Sequence, residues 1–366
     1  MNIINALKVL PDEKKPELYI FYLPFAPLED IQAIEYPYLT LLPIKLLPLP
    51  LRMINRLYRK FFISRRFNLF NASTTRTLMD AAFSLCIPCE DIPVKKQYIW
   101  YADLQAYQYP ENYSSFEIRK SRQIELRNLR AGYPIVLSSQ WCIDDFKRIY
   151  PTYPWPLKRL RFATTHPDFS ALDMNELRAK FQIDAPYFIV SNQYWIHKNH
   201  LVVFKAIKLL KEEGHKVLCL CTGSPHVVSH MAKDYVQQMI TYIRDNELDD
   251  QIKFLGFIKR EEQLCLLKNS WSVIQPSFFE SWNTTVEDAK ALNKFILLSD
   301  LLIHREQLDF NCLFFDPKNE KDLADCMKKV IAGNIQTEIR DYTRNIQQFS
   351  IDILEVFELN KNIVPG

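Results

Sequence analysis

Glycine is scarce in this sequence. Six stand in 366 residues, and no two lie closer than Gly214 and Gly223, where an average protein carries roughly 7%. That spacing excludes the GxGxxG dinucleotide loop, the GxxxxGK[ST] phosphate loop and the GxSxG nucleophile elbow, all of which need glycines close together. A bias of charge is also missing. The 46 basic and 43 acidic residues leave a net +3, which does not match the broad basic footprint of a nucleic-acid binder. Eight cysteines in a chain of this length build no dense disulfide framework, so a reducing, cytoplasmic setting fits best. Cys86 and Cys89 form a CxxC without a second CxxC or HxxxH to complete four zinc ligands, and a proline-containing turn explains the pair equally well. The start, MNIINALKVLPDEKK, is too short and too quickly charged for a signal peptide.

What is present is ordinary globular composition, 48% hydrophobic and 24% charged, with enough chain for about two domains. The second half alternates short apolar runs with amphipathic stretches, the pattern of a parallel sheet wound with helices. Strands are expected at 187–191, 217–221, 252–255, 272–275, 295–299 and 312–315, with helices at 201–213, 227–246, 261–268, 285–292 and 320–331. This half reads as a Rossmann-like domain that lacks the glycine-rich loop. The first half is less regular, with strands expected at 18–22, 98–101 and 135–137 and helices at 116–129 and 144–149. A proline-rich stretch and a polar helix at 171–181 connect the two, placing a boundary near residue 168. A last helical segment is expected at 339–359.

Residues 39–66 combine leucine and proline with Arg52, Arg56, Arg59, Lys60, Arg65 and Arg66. Prolines and length exclude a transmembrane helix. Two readings stay open: an amphipathic segment lying on a membrane surface, or a core helix with a solvated basic face.

Four loops follow strands at one edge of the second-half sheet, where open α/β sheets bind ligands. The fourth strand runs into PSFFESWNTTVEDA, which feeds a helix amino terminus suited to an anion. Glu280 precedes that helix and Asp288 lies about one turn inside it, so two acids flank the anion position. The first strand ends in SNQYWIHKNH, where Lys198 supplies positive charge for a diphosphate. His197 and His200 have no third metal ligand nearby, and capping or packing accounts for them. Gly223 and Gly256 mark turns at the same edge.

PSFFESWNTTVEDAKAL, followed by ILLSD and HREQ and supported by SNQYWIHKNH and FLGFIKREEQL, resembles the retaining family 4 glycosyltransferases (glycosyl transferases group 1) of the GT-B fold. The resemblance runs from about Tyr98 to Lys329. It implies an α/β protein of two Rossmann-like domains facing a cleft: residues 1–168 on the acceptor side, 169–335 binding the nucleotide-sugar donor, and a helical segment 336–366 packing back toward the first domain. Glu280 corresponds to the first acid of the family's E-x7-E signature, which contacts the donor sugar. Asp288 takes the place of the ribose-binding second acid, with Glu287 as a substitute if the register is relaxed. Amides of Ser281, Trp282, Asn283 and Thr284 would hold sugar hydroxyls and diphosphate. Lys198 matches the diphosphate lysine, whereas the arginine that often accompanies it appears as Gln193, so one positive charge is missing. Gly223 and Ile258 would line the nucleotide.

Trp100 to Pro110 resembles a W-x-P-D-x-Q-H segment, with Asp103 and Gln105 as acceptor-side candidates and Ala106 where a histidine is common. Residues 2–10 resemble the first helix of that domain with no strand before it, so the first domain is expected to lack its first strand. The resemblance implies a retaining, metal-independent hexosyltransferase that needs no cofactor. Its partners would be a nucleotide-diphosphate sugar, a glycan or lipid-linked acceptor and, through residues 39–66, a membrane surface. The alternative is a non-catalytic scaffolding relative.

Overall fold

Two separate parallel sheets, rather than one, come from the less regular first half. In the computed structural model, residues 1–359 are described apart from 24, 25, 27, 45–47, 62–74, 76, 86–91 and 225–229. They divide into two compact units, Met1–Thr165 with Thr343–Gly366, and His166–Tyr342. The CxxC of Cys86 and Cys89, with Arg65 and Arg66, lies outside the described residues.

The first unit runs α1 (Asn2–Lys8), β1 (Leu18–Tyr22), α2 (Glu29–Gln32), β2 (Leu39–Pro43), α3 (Leu49–Phe61), β3 (Met79–Leu85), β4 (Val94–Trp100), α4 (Gln105–Gln108), α5 (Ser115–Ala131), β5 (Ile135–Leu137), α6 (Gln140–Ile149) and β6 (Leu157–Arg159). Among the described residues β1 pairs with β2 alone, and β3 to β6 form a four-stranded parallel sheet in chain order. β2, β3 and β6 were not expected. β2 is hidden inside the leucine and proline run, and β3, MDAAFSL, alternates polar with apolar residues too weakly to stand out. β6 is only three residues long. The described part of the segment 39–66 therefore holds a strand, β2, and a helix, α3.

Local chemistry sets the ends of α5. Ser114 and Glu117 make a reciprocal capping box, and Gly132 closes the helix at φ +70°. Behind it Ile99, Ile135, Leu137, Ile143 and Phe146 form a small core. The last helix, α14 (Thr343–Val356), also belongs to this unit and packs on α1. Just beyond it, Phe357 sets its ring 4.9 Å from Phe83 and 5.1 Å from Tyr98, while Glu358 pairs with Lys96.

The second unit runs α7 (Met174–Phe181), β7 (Tyr187–Ser191), α8 (His200–Glu212), β8 (Leu218–Thr222), α9 (His230–Asp245), β9 (Ile252–Gly256), α10 (Arg260–Asn269), β10 (Ser272–Gln275), α11 (Thr284–Ala291), β11 (Ile296–Ser299), α12 (Leu302–Gln307), β12 (Cys312–Phe315) and α13 (Glu320–Ile331). Its sheet is wholly parallel, in the order β12-β11-β10-β7-β8-β9. Every residue of β7 is buried because both faces are covered. Phe188 and Val190 face the cluster beneath α8, α9 and α13, while Tyr187 and Ile189 face the one beneath α7, α10 and α11. The described cysteines Cys219, Cys221, Cys265, Cys312 and Cys326 are free thiols.

Gly132 offers a direct test of this packing. An added Cβ would come within 2.7 Å of the Trp155 ring at a backbone angle that side chains rarely adopt. Gly132→Ala is expected to destabilise the first unit by about 1–3 kcal/mol. Gly333→Ala, at φ +70° but with nothing within 4 Å, should cost less in the same denaturant titration. Equal losses would show that backbone strain alone, and not the tryptophan, sets the requirement.

Candidate functional site

The strand order reverses beside β7, with β8 and β9 on one side and β10, β11 and β12 on the other. α8 and α11 consequently leave β7 and β10 toward opposite faces of the sheet. Their loops part at the carboxyl edge, and a crevice opens between them. A cleft of about 540 Å³ lies there. The loop after β7 lines it with Asn192, Gln193, Trp195 and Lys198, and the ends of β8 and β9 add Gly223, Phe257 and Ile258. Arg260 and Gln263 come from α10, and Glu280, Trp282, Asn283, Thr284, Thr285 and Asp288 from the approach to α11. Of the expected donor-side residues, Ser281 alone is absent from this lining. A separate cavity of about 570 Å³ beside α8, α9 and α13 holds none of them.

Glu280 and Lys198 join the two loops. Lys198 Nζ donates to Glu280 Oε1 at 2.5 Å, and Ser277 Oγ and Gln275 Nε2 donate to the same oxygen at 2.6 and 2.9 Å. Burial by itself would raise this carboxyl, but the Lys198 charge and these donors outweigh it and hold it at about 2. The carboxylate is thus ionised and fixed.

Asp288 is the second acid of the cleft. Its Oδ1 accepts from Arg260 Nη2 at 2.5 Å and is 3.0 Å from His166 Nε2, while Oδ2 has no hydrogen-bond partner among the described residues. Burial pushes the carboxyl up, and the His166 and Arg260 contacts prevail and keep it below the usual range. Glu287 is committed elsewhere. It receives Lys290 at 2.9 Å, Gln307 at 3.0 Å and the Tyr342 hydroxyl at 2.5 Å.

Arg260 corrects the expected charge deficit. Gln193, expected at the position of that arginine, lines the cleft, and its Oε1 accepts from the Ser224 amide at 3.0 Å. A second cation nevertheless lines the cleft from the start of α10. Its signal lies in FLGFIKREEQL, from which the sequence reading takes Gly256 and Ile258 but not the arginine. His166, Gln263 and Gln275 were likewise not legible, because each acts through a partner distant in sequence.

The α11 terminus departs from expectation in one amide. The Asn283 side chain caps Val286 N at 3.0 Å, and the Asn283 amide donates to Gln307 Oε1 at 3.1 Å, so that amide is already committed. Thr284 and Thr285 open the helix, where amides have no intrahelical carbonyl to reach. Gly223 permits strand ends to meet, since an added Cβ would lie 2.4 Å from the Asn192 carbonyl. His200 is a packing residue. Its buried ring sits 5.2 Å from Tyr194, and desolvation lowers it to about 3 and His197 to about 4. In the first unit, Asp103 Oδ1 accepts from the Gln105 amide at 3.1 Å, and Gln105 Oε1 accepts from the Tyr113 hydroxyl at 2.5 Å.

Residues 173–348 match the family described as Glycosyl transferases group 1. This stretch, just under half of the chain, is thus similar to the group 1 glycosyltransferases. Over 144 residues the chain is 25% identical to O-antigen chain mannosyltransferase RfbU of Salmonella typhimurium, covering 39% of this chain and 38% of that one, so the match spans under two fifths of the relative's length. Solved GT-B glycosyltransferase structures share the fold. A glycosyltransferase from Rickettsia africae aligns at TM-score 0.59 and 13% identity, over 98% of this chain and 89% of that one. WaaG, a glycosyltransferase involved in lipopolysaccharide biosynthesis, aligns at 0.58 and 13%, over 100% and 95%. Anabaena HepE in complex with UDP and glucose aligns at 0.59 and 12%, over 93% and 87%.

The Lys198–Glu280 ion pair has a pH signature. Glu280 sits below its ordinary 4.5 in the folded state, so its contribution to stability is present above about pH 4.5 and is lost as pH falls toward about 2. Glu280→Gln is expected to flatten the unfolding midpoint across that window while lowering it at neutral pH. Parallel profiles for the two proteins would remove the pair from the account.

Proposed function

We propose that this protein moves a hexose from a nucleoside-diphosphate-sugar donor to a glycan or lipid-linked acceptor with retention of anomeric configuration. The observation that carries the reading is the cleft at the strand reversal, which gathers two cations, a helix amino terminus and two buried carboxylates. Each element meets one part of such a donor. Lys198, Arg260 and the first-turn amides of α11 are suited to the diphosphate, where negative charge grows as the bond from anomeric carbon to phosphate oxygen breaks. Asp288 Oδ2, a buried acceptor without a partner, suits a ribose hydroxyl.

Glu280 orients the sugar rather than attacking it. One of its oxygens already accepts from three donors, which lowers its basicity and pins its position. In the proposed reaction the acceptor hydroxyl therefore attacks the face that the diphosphate leaves, and its proton passes to the departing phosphate oxygen. HepE was solved with UDP and glucose, which supports a nucleoside diphosphate donor here. Ala106, at the position where a histidine is common, favours the second reading, a donor-binding protein without turnover.

A thermal-shift screen against nucleotide sugars tests donor binding, because a ligand specific to the folded state raises the unfolding midpoint. Lys198→Ala should weaken nucleoside diphosphate binding by about 1.5–3 kcal/mol, or roughly ten- to hundredfold. Binding of the corresponding nucleoside should barely change. Equal losses for the two ligands would contradict the placement of Lys198 on phosphate.

The two cations are proposed to do the work that a divalent metal performs in other transferases. Transfer should accordingly persist in EDTA at an unchanged rate. A rate abolished by EDTA and restored by magnesium or manganese would overturn that part of the mechanism.

A further inference from the structure

α3 exposes side chains that a soluble surface normally hides. Leu49 is 62% exposed, Met53 58%, Leu57 55% and Ile54 41%, whereas Asn55 is buried at 3%. At 3.6 residues per turn the exposed four fall on one continuous side of the helix, and Asn55 lies away from that side. Of the two readings of this segment, a core helix with a solvated basic face does not match these exposures. The apolar side is the one turned outward.

The sequence of this stretch is strongly basic. Positions 52, 56, 59 and 60 of the α3 sequence are all arginine or lysine. Between Glu35 and Asp80 there are eight basic residues and no acidic one. With a net charge of +3 for the whole chain, everything outside that stretch is net negative. The basic charge of the sequence is therefore concentrated in the stretch that contains α3.

We infer that α3 is a docking helix for an anionic lipid surface, lying in the plane of the membrane with Leu49, Met53, Ile54 and Leu57 toward the acyl chains. A polar partner would give the apolar side nothing to bury against, and a neutral apolar partner would not call for the concentrated positive charge. An anionic bilayer meets both at once, with hydrocarbon depth for the apolar side and headgroup phosphate for the basic charge. The helix lies on the surface and does not cross it, since no described helix is long and apolar enough to span a membrane. This inference rests on the first unit alone and stands apart from the sugar-transfer reading.

Flotation of the full chain with vesicles tests it. Vesicles of phosphatidylcholine mixed with phosphatidylglycerol should carry the protein upward, vesicles of phosphatidylcholine alone should carry far less, and added salt should release it. Arg56→Gln with Arg59→Gln should weaken partitioning roughly 25-fold, at about fivefold for each cation near an anionic surface. Met53→Ser with Leu57→Ser should weaken it by roughly tenfold or more, with the thermal unfolding midpoint close to wild type because both side chains are already exposed. The wild-type comparison of the two vesicle types holds whether or not a variant folds. Equal binding to both types, or no binding to either, overturns the inference. So does unchanged binding by the serine variant, which would mean simple attraction to any polyanion. A concentration-dependent dimer that the serine variant dissolves, without vesicle binding, would assign α3 to a second copy of the chain and overturn it too.

Discussion

A buried ion pair between two loops that depart to opposite faces of a sheet is the constraint around which the second unit is organised. Lys198 follows β7 and Glu280 follows β10, and the strand reversal would otherwise leave these loops free to separate. An unpaired carboxylate in that position would be strongly unfavourable, so the lysine, Ser277 and Gln275 must all arrive together. Neighbouring contacts extend the same junction. Asn192 Nδ2 donates to Gln275 Oε1 at 2.9 Å, and Thr285 Oγ1 donates to the Ser191 carbonyl at 2.8 Å. The walls of the cleft are thereby tied to one another beneath the space they enclose.

The two carboxylates of the cleft are left in different states by their partners. Glu280 gathers three donors on Oε1, while Asp288 gathers Arg260 and His166 on Oδ1 and keeps a buried Oδ2 with no hydrogen-bond partner among the described residues. A buried acceptor left open is costly unless something else completes it. Adjacent in sequence, Glu287 has its lysine, glutamine and tyrosine and contributes to packing around α12. The difference between neighbouring acids lies in which face of α11 they occupy, since successive helical residues point about 100° apart.

The first unit shows a different balance between local and distant forces. Its four-stranded sheet and its β1–β2 pair are short, and β5 and β6 are three residues each. Aromatic contacts and α14, contributed from the far end of the chain, complete it. Helix α3 contributes little to that burial and instead carries apolar side chains outward.

Local periodicity was enough to determine the six strands of the second unit and the helices between them, because a strand buried on both faces is a continuous apolar run and an amphipathic helix repeats its apolar residues at three and four. The Glu280, Lys198 and Asp288 loops could be placed at one edge for the same reason, since strands in a parallel sheet all end on one side. Pairing decided the rest. Whether Asp288 or Glu287 faces the cleft, that Arg260 supplies the second cation, and that the Asn283 amide is taken by Gln307 all depend on contacts between residues 24 to 122 positions apart. The same holds for β2 and β3, whose sequences are weak alone and whose strand character comes from a neighbour across the ladder. Which side of α3 is covered was a tertiary outcome as well, because amphipathicity names two faces and only packing selects the one that is buried.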